Sequence, residues 1–416
     1  MLLSLFKRMA DTRAFNDASV LGSAHFLSLL LGLASTIVWT RWMPVETFGQ
    51  FKVVLGVIGF AGTFCLLGIG QVALMSASSK ADGNLARLIR AKLLANIGGA
   101  LLILGAAAYY FWGRADSNAM VKGLLSAAIV FPLYNSSDLW MSWFNGKGRF
   151  ASLAAGGLIT SALALCAVFL MVLFSIDEVW LAVFLFLALL SAQNAFMLSR
   201  VLRLRENTEH NEDLMRFGRH ATLALMFSSL LALDVVLLEH VHKAEAVALY
   251  AVALVFPEQV KALFSIIGQL IAPRMYATDS PAQLWPSFRN KFLWLTLGFI
   301  TLGLIGFVLI PLLVPLLFSA KYAAAADYGK WLWLAISCTG TFTYLGSALI
   351  ATRRPVYIYT PYVGYPLCLM ALYLVFVDYG VSGMVYARSV CAVLLAAFYG
   401  MAFFAHVSKE NGLRVQ

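Results

Sequence analysis

The stretch Val252–Met275, VALVFPEQVKALFSIIGQLIAPRM, decides the fold. At about 1.5 Å per residue a helix of this length crosses the ~30 Å hydrocarbon layer of a bilayer. Yet it holds Glu258 and Lys261 well away from either end. Charged groups at that depth are costly unless they are paired or face a wet cavity. Similar apolar runs recur along all 416 residues; 61% of the chain is hydrophobic and 12% is charged. Soluble domains carry roughly 25% charged residues. Helices satisfy their own backbone groups inside lipid, so the chain reads as an all-α integral membrane protein. A membrane β-barrel needs short alternating strands, which these long runs exclude.

Twelve hydrophobic segments are expected, near 18–42, 48–77, 89–112, 119–144, 151–174, 179–202, 217–240, 247–276, 288–317, 324–351, 357–378 and 381–407. With the N-terminus cytoplasmic, 21 Lys and Arg fall on cytoplasmic ends and loops, Lys92 among them, against 6 outside. This follows the positive-inside rule, so the net charge of +10 reports topology rather than a nucleic-acid partner. Both termini are then cytoplasmic and the protein spans the inner membrane. The opening MLLSLFKRMADTRAF lacks a cleavage pattern and reads as an uncleaved, partly amphipathic segment.

The most polar linker, Arg203–His220, falls near the middle of the chain. It suggests two pseudo-repeated six-helix lobes, 1–202 and 217–416, joined by a cytoplasmic linker at 203–216. The repeat rests on FGQFKVVLGV (Phe48–Val57) against ALYAVALV (Ala248–Val255). It rests also on the basic turns FNGKGRF (Phe144–Phe150) and IATRRPV (Ile350–Val356). Duplicated halves mark transporters that work by alternating access.

Enzymatic signatures are lacking. The sequence has no phosphate-binding GxxxxGK[ST] loop and no HExxH, and its five cysteines lie singly in apolar segments. The EHVH at Glu239–His242 sits at an external helix end and is not read as a metal site. No cofactor is expected, and no loop is long enough for a soluble catalytic domain. A membrane-embedded transferase stays open as an alternative.

Helical spacing sharpens the quoted segment. Glu258, Lys261, Ser265, Gly268, Gln269 and Ala272 recur at three and four residues and share one face. Lys261 lies ~21 Å into its helix. Two readings are open: a local i,i+3 ion pair one turn past a Pro257 kink, or a cavity cation that attracts an anionic substrate. Arg388 reads as a bundle-interior cation or as a side chain reaching outward. Lys52 reads as a snorkelling residue or a further cavity cation. Asp234 and Asp138 are structural acids between helices or, with Glu258, carriers of H⁺ or Na⁺. His25 sits on a polar stripe with Ser28, Gly32 and Ser35, as an interior histidine or a ligand contact. Most aromatics read as interfacial belts; Trp140, Trp143, Tyr357, Tyr359, Tyr362 and Tyr365 are the candidates for stacking on sugar rings.

Several stretches resemble a known family. TRWMPVETFGQFKVVLGVIGFAGTFCLLGIGQVALMSAS, with Arg41, Pro44, Phe48, Gly49, Phe51, Leu67, Gly68 and Gly70, resembles the first-to-second helix region of bacterial polysaccharide-export oligosaccharide flippases (Wzx-type). These belong to the multidrug/oligosaccharidyl-lipid/polysaccharide exporter superfamily. LDVVLLEHVHKAEAVALYAVALV is similar to that family's seventh-to-eighth helix region, with Asp234, Tyr250, Ala251 and Ala253 in order. FNGKGRF and LLFSAKYAAAADYGKWLWL followed by LIATRRP resemble two further signatures. Ala248 stands where the family often has glycine. The resemblance implies twelve helices and translocation of an undecaprenyl-diphosphate-linked oligosaccharide for O-antigen, capsule or exopolysaccharide assembly. It also implies a polysaccharide polymerase and a chain-length regulator as partners, and coupling to a proton or sodium gradient. The cargo-binding residues do not come from it; Lys261, Arg388 and Lys52 rest on the physical argument above. The rival readings are a multidrug or cation exporter of the same superfamily and a membrane-embedded glycan polymerase or ligase.

Overall fold

The computed structural model describes residues 13–66, 68–113, 118–215, 222, 226–276, 281–352 and 355–415. Side chains are not described at 13–18, 265–266, 269–284, 287, 350–351, 355, 358 and 410–415. The expected amphipathic start of the chain and the Arg353–Arg354 turn therefore lie outside the described residues. Every regular element among the described residues is helical. Nine helices there are long and apolar enough to cross a membrane, and a tenth counts if Ala320–Thr339 and Phe342–Leu349, bent by 44°, form one span. The chain has the character of a multi-pass membrane protein.

Two compact units divide at Leu233/Asp234. The first contains α1 (Arg13–Trp42), α2 (Val45–Ala61), α3 (Ile69–Ser78), α4 (Asn84–Gly113), α5 (Asn118–Ser136), α6 (Leu139–Gly146), α7 (Phe150–Leu173) and α8 (Val179–Arg203). Helix α1 packs along α7, α5 lies between α4 and α8, and α3 lies against α6. Trp140 and Trp143 are 0% and 1% exposed, in a core with Phe144, Ala77, Leu85, Met197 and Val201. Trp140 donates its indole N–H to Asn194 Oδ1 at 3.0 Å, and Gly156 leaves the space its ring occupies. Neither indole is available to a sugar, which corrects the stacking expectation for both. A buried indole fills a core and usually finds a partner for its one donor; Trp140 does, whereas the Trp143 N–H has none among the described residues.

The polar linker does not hang free between the units. Its residues fold back onto the loop that opens α4. Asp82 accepts from the Glu206 N–H at 2.9 Å and pairs with Lys147 at 3.0 Å. The Gly83 N–H donates to the Glu209 carbonyl at 2.9 Å, where a side chain would run into the linker backbone. Asn84 exchanges hydrogen bonds with the backbone of Asn211 at 3.1 and 3.2 Å. Further on, Thr222 accepts from the Gly68 N–H, and Ser229, in the 3₁₀ turn Phe227–Leu233, meets the Thr63 hydroxyl. These bonds hold Glu206, Glu209, Asn211, Thr222 and Ser229 to the first unit, and the division falls inside the seventh expected segment.

The second unit contains α9 (Asp234–Tyr276), α10 (Pro281–Phe318), α11 (Ala323–Thr339), α12 (Phe342–Ala351), α13 (Pro355–Tyr359), α14 (Tyr365–Phe376) and α15 (Gly380–Val415). Helix α9 changes course at Lys243, whose φ of 70° and ψ of 170° leave the helical region. This lies between the seventh and eighth expected segments. Helical backbone continues through Pro257, where the sequence suggested a kink. Proline removes the N–H that would bond the carbonyl four residues earlier, here Ala253. That carbonyl is instead met closely by α11, because position 329 is glycine; a Cβ there would come within 3.1 Å of the Ala253 oxygen. The 3₁₀ turn Val377–Tyr379 separates α14 from α15, closed by Gly380 at φ 64° and tied to α9 through His242 and the Val377 carbonyl at 2.8 Å. Helix α15 lies against α9, α11 and α14.

Candidate functional site

The second unit gathers four charged side chains that the sequence scatters over 154 residues. Asp234 opens α9 directly after a 3₁₀ turn, where the helix dipole favours an acid. Its carboxylate is 5% exposed and holds three donors: Arg388 Nη2 at 2.5 Å, the Tyr250 hydroxyl at 2.9 Å and the Val235 N–H at 2.7 Å. Tyr250 comes from four turns further along α9, so the break at Lys243 is what folds the two together. Arg388 stands on α15, 13% exposed. Its Nε donates to the Tyr373 hydroxyl at 2.7 Å, and its guanidinium lies 5.5 Å from the Tyr250 ring. Burial of both charges is tolerable because each is paired and hydrogen-bonded.

Glu258 and Lys261 extend this network to an open face. They sit one turn apart on α9, and their Oε1 and Nζ atoms are 2.7 Å apart. Arg388 Nη1 donates to the same Glu258 oxygen at 3.1 Å. Glu258 and Lys261 are 47% and 40% exposed, several times more than Asp234 and Arg388. Lys261 also lines a cavity of about 380 Å³ with Gly268, Thr339, Thr343, Ser347, Tyr365 and Tyr399. That volume falls within the range of small-molecule sites. The local i,i+3 ion pair is formed, and Lys261 of that pair also borders a cavity. Arg388 is an interior cation, and Asp234 is a hydrogen-bonded acid.

Other candidates fall elsewhere. Ser265 and Gln269 share the helix, but their side chains lie outside the described residues. Lys52 is on α2 in the first unit, half-buried, its ammonium 5.3 Å from the Phe48 ring. His25 is exposed on α1. Asp138 caps α6 in the first unit and pairs with Lys92 at 2.5 Å. Lys92, counted among the charges at cytoplasmic ends and loops, lies within α4, which begins five residues before the expected segment, and is 6% exposed. Asn96 lies one turn on, bonded to Asn135 at 2.8 Å and Ser136 at 2.6 Å. Of the tyrosines considered for stacking, Tyr365 reaches the cavity, and Tyr359 is exposed outside it. Tyr373, Tyr399 and the hydroxyls of α12 were not marked by any pattern, since a lone polar group in an apolar helix creates no periodic signal. Among the described residues, no three His, Cys, Asp or Glu come together as a metal site.

Solved structures resemble this chain along nearly its whole length. One is described as "Inward-facing conformation of a multidrug resistance MATE family transporter of the MOP superfamily", with a TM-score of 0.64 at 13% identity, covering 94% of this chain and 99% of that one. The chain shares their fold. A second, "Lipid II flippase MurJ, inward closed conformation", gives a TM-score of 0.59 at 13% identity, covering 92% of this chain and 87% of the other. A third, from Pyrococcus furiosus, has a TM-score of 0.59 at 13% identity over 94% of this chain and 96% of its own. It is described by "Reverse polarity of binding pocket suggests different function of a MOP superfamily transporter". No family model and no curated protein matches the sequence. The all-helical architecture expected from hydropathy is thus a fold that these solved structures share.

Proposed function

We propose that the chain is a flippase that moves a polyprenyl-diphosphate-linked oligosaccharide across the cytoplasmic membrane by alternating access, for surface polysaccharide assembly. The observation that carries the reading is the hydroxyl-lined cavity bordered by Lys261, with Arg388 behind it on the same carboxylate. A diphosphate in a low-dielectric site is held by cations and hydroxyl donors; here Lys261 lines the cavity with the Tyr365 and Tyr399 hydroxyls, while Thr339, Thr343 and Ser347 donate to backbone carbonyls. Translocation against a gradient draws on an ion gradient, H⁺ or Na⁺. Glu258 and Asp138, 47% and 42% exposed, are open to an incoming ion, whereas Asp234 already holds three donors.

A second reading is export of cationic drugs. The likeness to a multidrug transporter favours it equally on fold, and Glu258 would then be the cargo's counter-charge. Reconstituted vesicles separate the two. The flippase reading expects labelled lipid-linked oligosaccharide to change leaflets, with at least about a tenfold loss in Lys261→Glu from charge reversal at the site. Export of cationic dyes with no movement of lipid-linked glycan overturns it in favour of the second.

A further inference from the structure

One carboxylate oxygen in the second unit serves two cations. Glu258 Oε1 accepts from Lys261 at 2.7 Å and from Arg388 at 3.1 Å. Asp234, the other acid of the cluster, is held by donors from three residues and is almost fully enclosed. Glu258 is nearly half exposed, next to a lysine that itself lines the cavity. An anion entering to reach Lys261 arrives beside a like charge, and two like charges at that range cannot both stay on the same cation cheaply. With the cavity empty, Lys261 without Glu258 would be an uncompensated cation inside a low-dielectric layer, which is equally costly.

We propose that Glu258 is an internal competitor for the anion site. Its carboxylate occupies Lys261 and Arg388 when the cavity is empty, gives them up to a compact phosphate-bearing headgroup, and returns to expel it. This rests on the flippase reading above and adds how the site is reset. Cargo and carboxylate alternate on the same cations, so Lys261 and Arg388 face an opposite charge in both states, and the displaced Glu258, nearly half exposed, is left to water. Asp234 takes no part in the exchange; it holds Arg388 in place from behind.

The test measures binding and turnover separately, with the full chain in nanodiscs. The probes are geranylgeranyl diphosphate and, to separate a lipid headgroup from a free anion, inorganic pyrophosphate. A competitor that holds the site nine-tenths of the time weakens apparent affinity about tenfold. Glu258→Gln is therefore expected to bind geranylgeranyl diphosphate about tenfold more tightly while flipping lipid-linked oligosaccharide more slowly, since nothing displaces the cargo. Glu258→Asp keeps the charge but draws it back from Arg388, and tightens binding by less; it serves alone if the glutamine variant does not fold. A residue that merely braces Lys261 predicts the opposite sign, with both variants binding equally or more weakly. If the wild type binds in a Lys261-dependent manner and neither variant binds more tightly, the competitor role is overturned and the flippase reading stands. If none of the proteins binds either probe, both fall. Tightening seen for pyrophosphate alone overturns the assignment of the site to a lipid headgroup.

Discussion

Lys92 with Asp138 in the first unit, and Arg388 with Asp234 in the second, each join a cation inside one helix to an acid at the start of another. Both acids follow a break: Asp138 stands between α5 and α6, and Asp234 follows the 3₁₀ turn. The pairs differ in which partner is the more enclosed. In the first unit the cation is buried at 7% exposed and the acid is 42% exposed. In the second the acid is buried at 5%, and the cation has further partners in Glu258 and Tyr373. The enclosed member of a pair cannot be rehydrated when its partner is lost, so the two units should be sensitive to opposite halves of the same interaction.

Six substitutions break or sharpen that contrast. Arg388→Met leaves Asp234 enclosed without an opposite charge and is expected to cost about 3–5 kcal/mol in denaturant unfolding of the purified protein. Adding Asp234→Asn to it should restore much of the loss; no restoration would show that the pair is not what holds these helices. In the first unit the acid matters more. Asp138→Asn strands buried Lys92 and should cost about 2–3 kcal/mol, whereas Lys92→Met, which leaves a carboxylate that water can reach, should cost about 1–2 kcal/mol. Equal costs would remove the asymmetry. A purely steric change comes next: Gly329→Leu pushes a side chain against the Ala253 carbonyl beside Pro257, for about 1–3 kcal/mol by the same measurement. Smallest is Arg87→Ala. Its pair with Glu212 is 51% and 68% exposed, and less than about 1 kcal/mol should be lost.

Much of the fold was legible because lipid imposes it on each segment separately. Apolar length marked the helices, and the break at Lys243 lies between two expected segments. The site was legible only in part. Periodicity placed Glu258 and Lys261 on one face of one helix, and their pairing is an i,i+3 contact that the sequence contains by itself. Tyr373 and the pairing of Lys92 with Asp138 were missed, because each depends on a partner on another helix. Trp140 and Trp143 looked like ligand-facing aromatics, and only packing against Met197 and Val201 shows them to be core.

Hydropathy thus determined by itself that this is a helical chain built to cross a bilayer, since backbone groups in hydrocarbon must bond within their own segment. The tertiary structure alone decided what the charges do. Arg388 and Asp234 meet across 154 residues of chain, and Asp82 receives the linker across 124. No local period encodes such meetings; they arise when burial brings distant helices together and each enclosed charge must find its opposite.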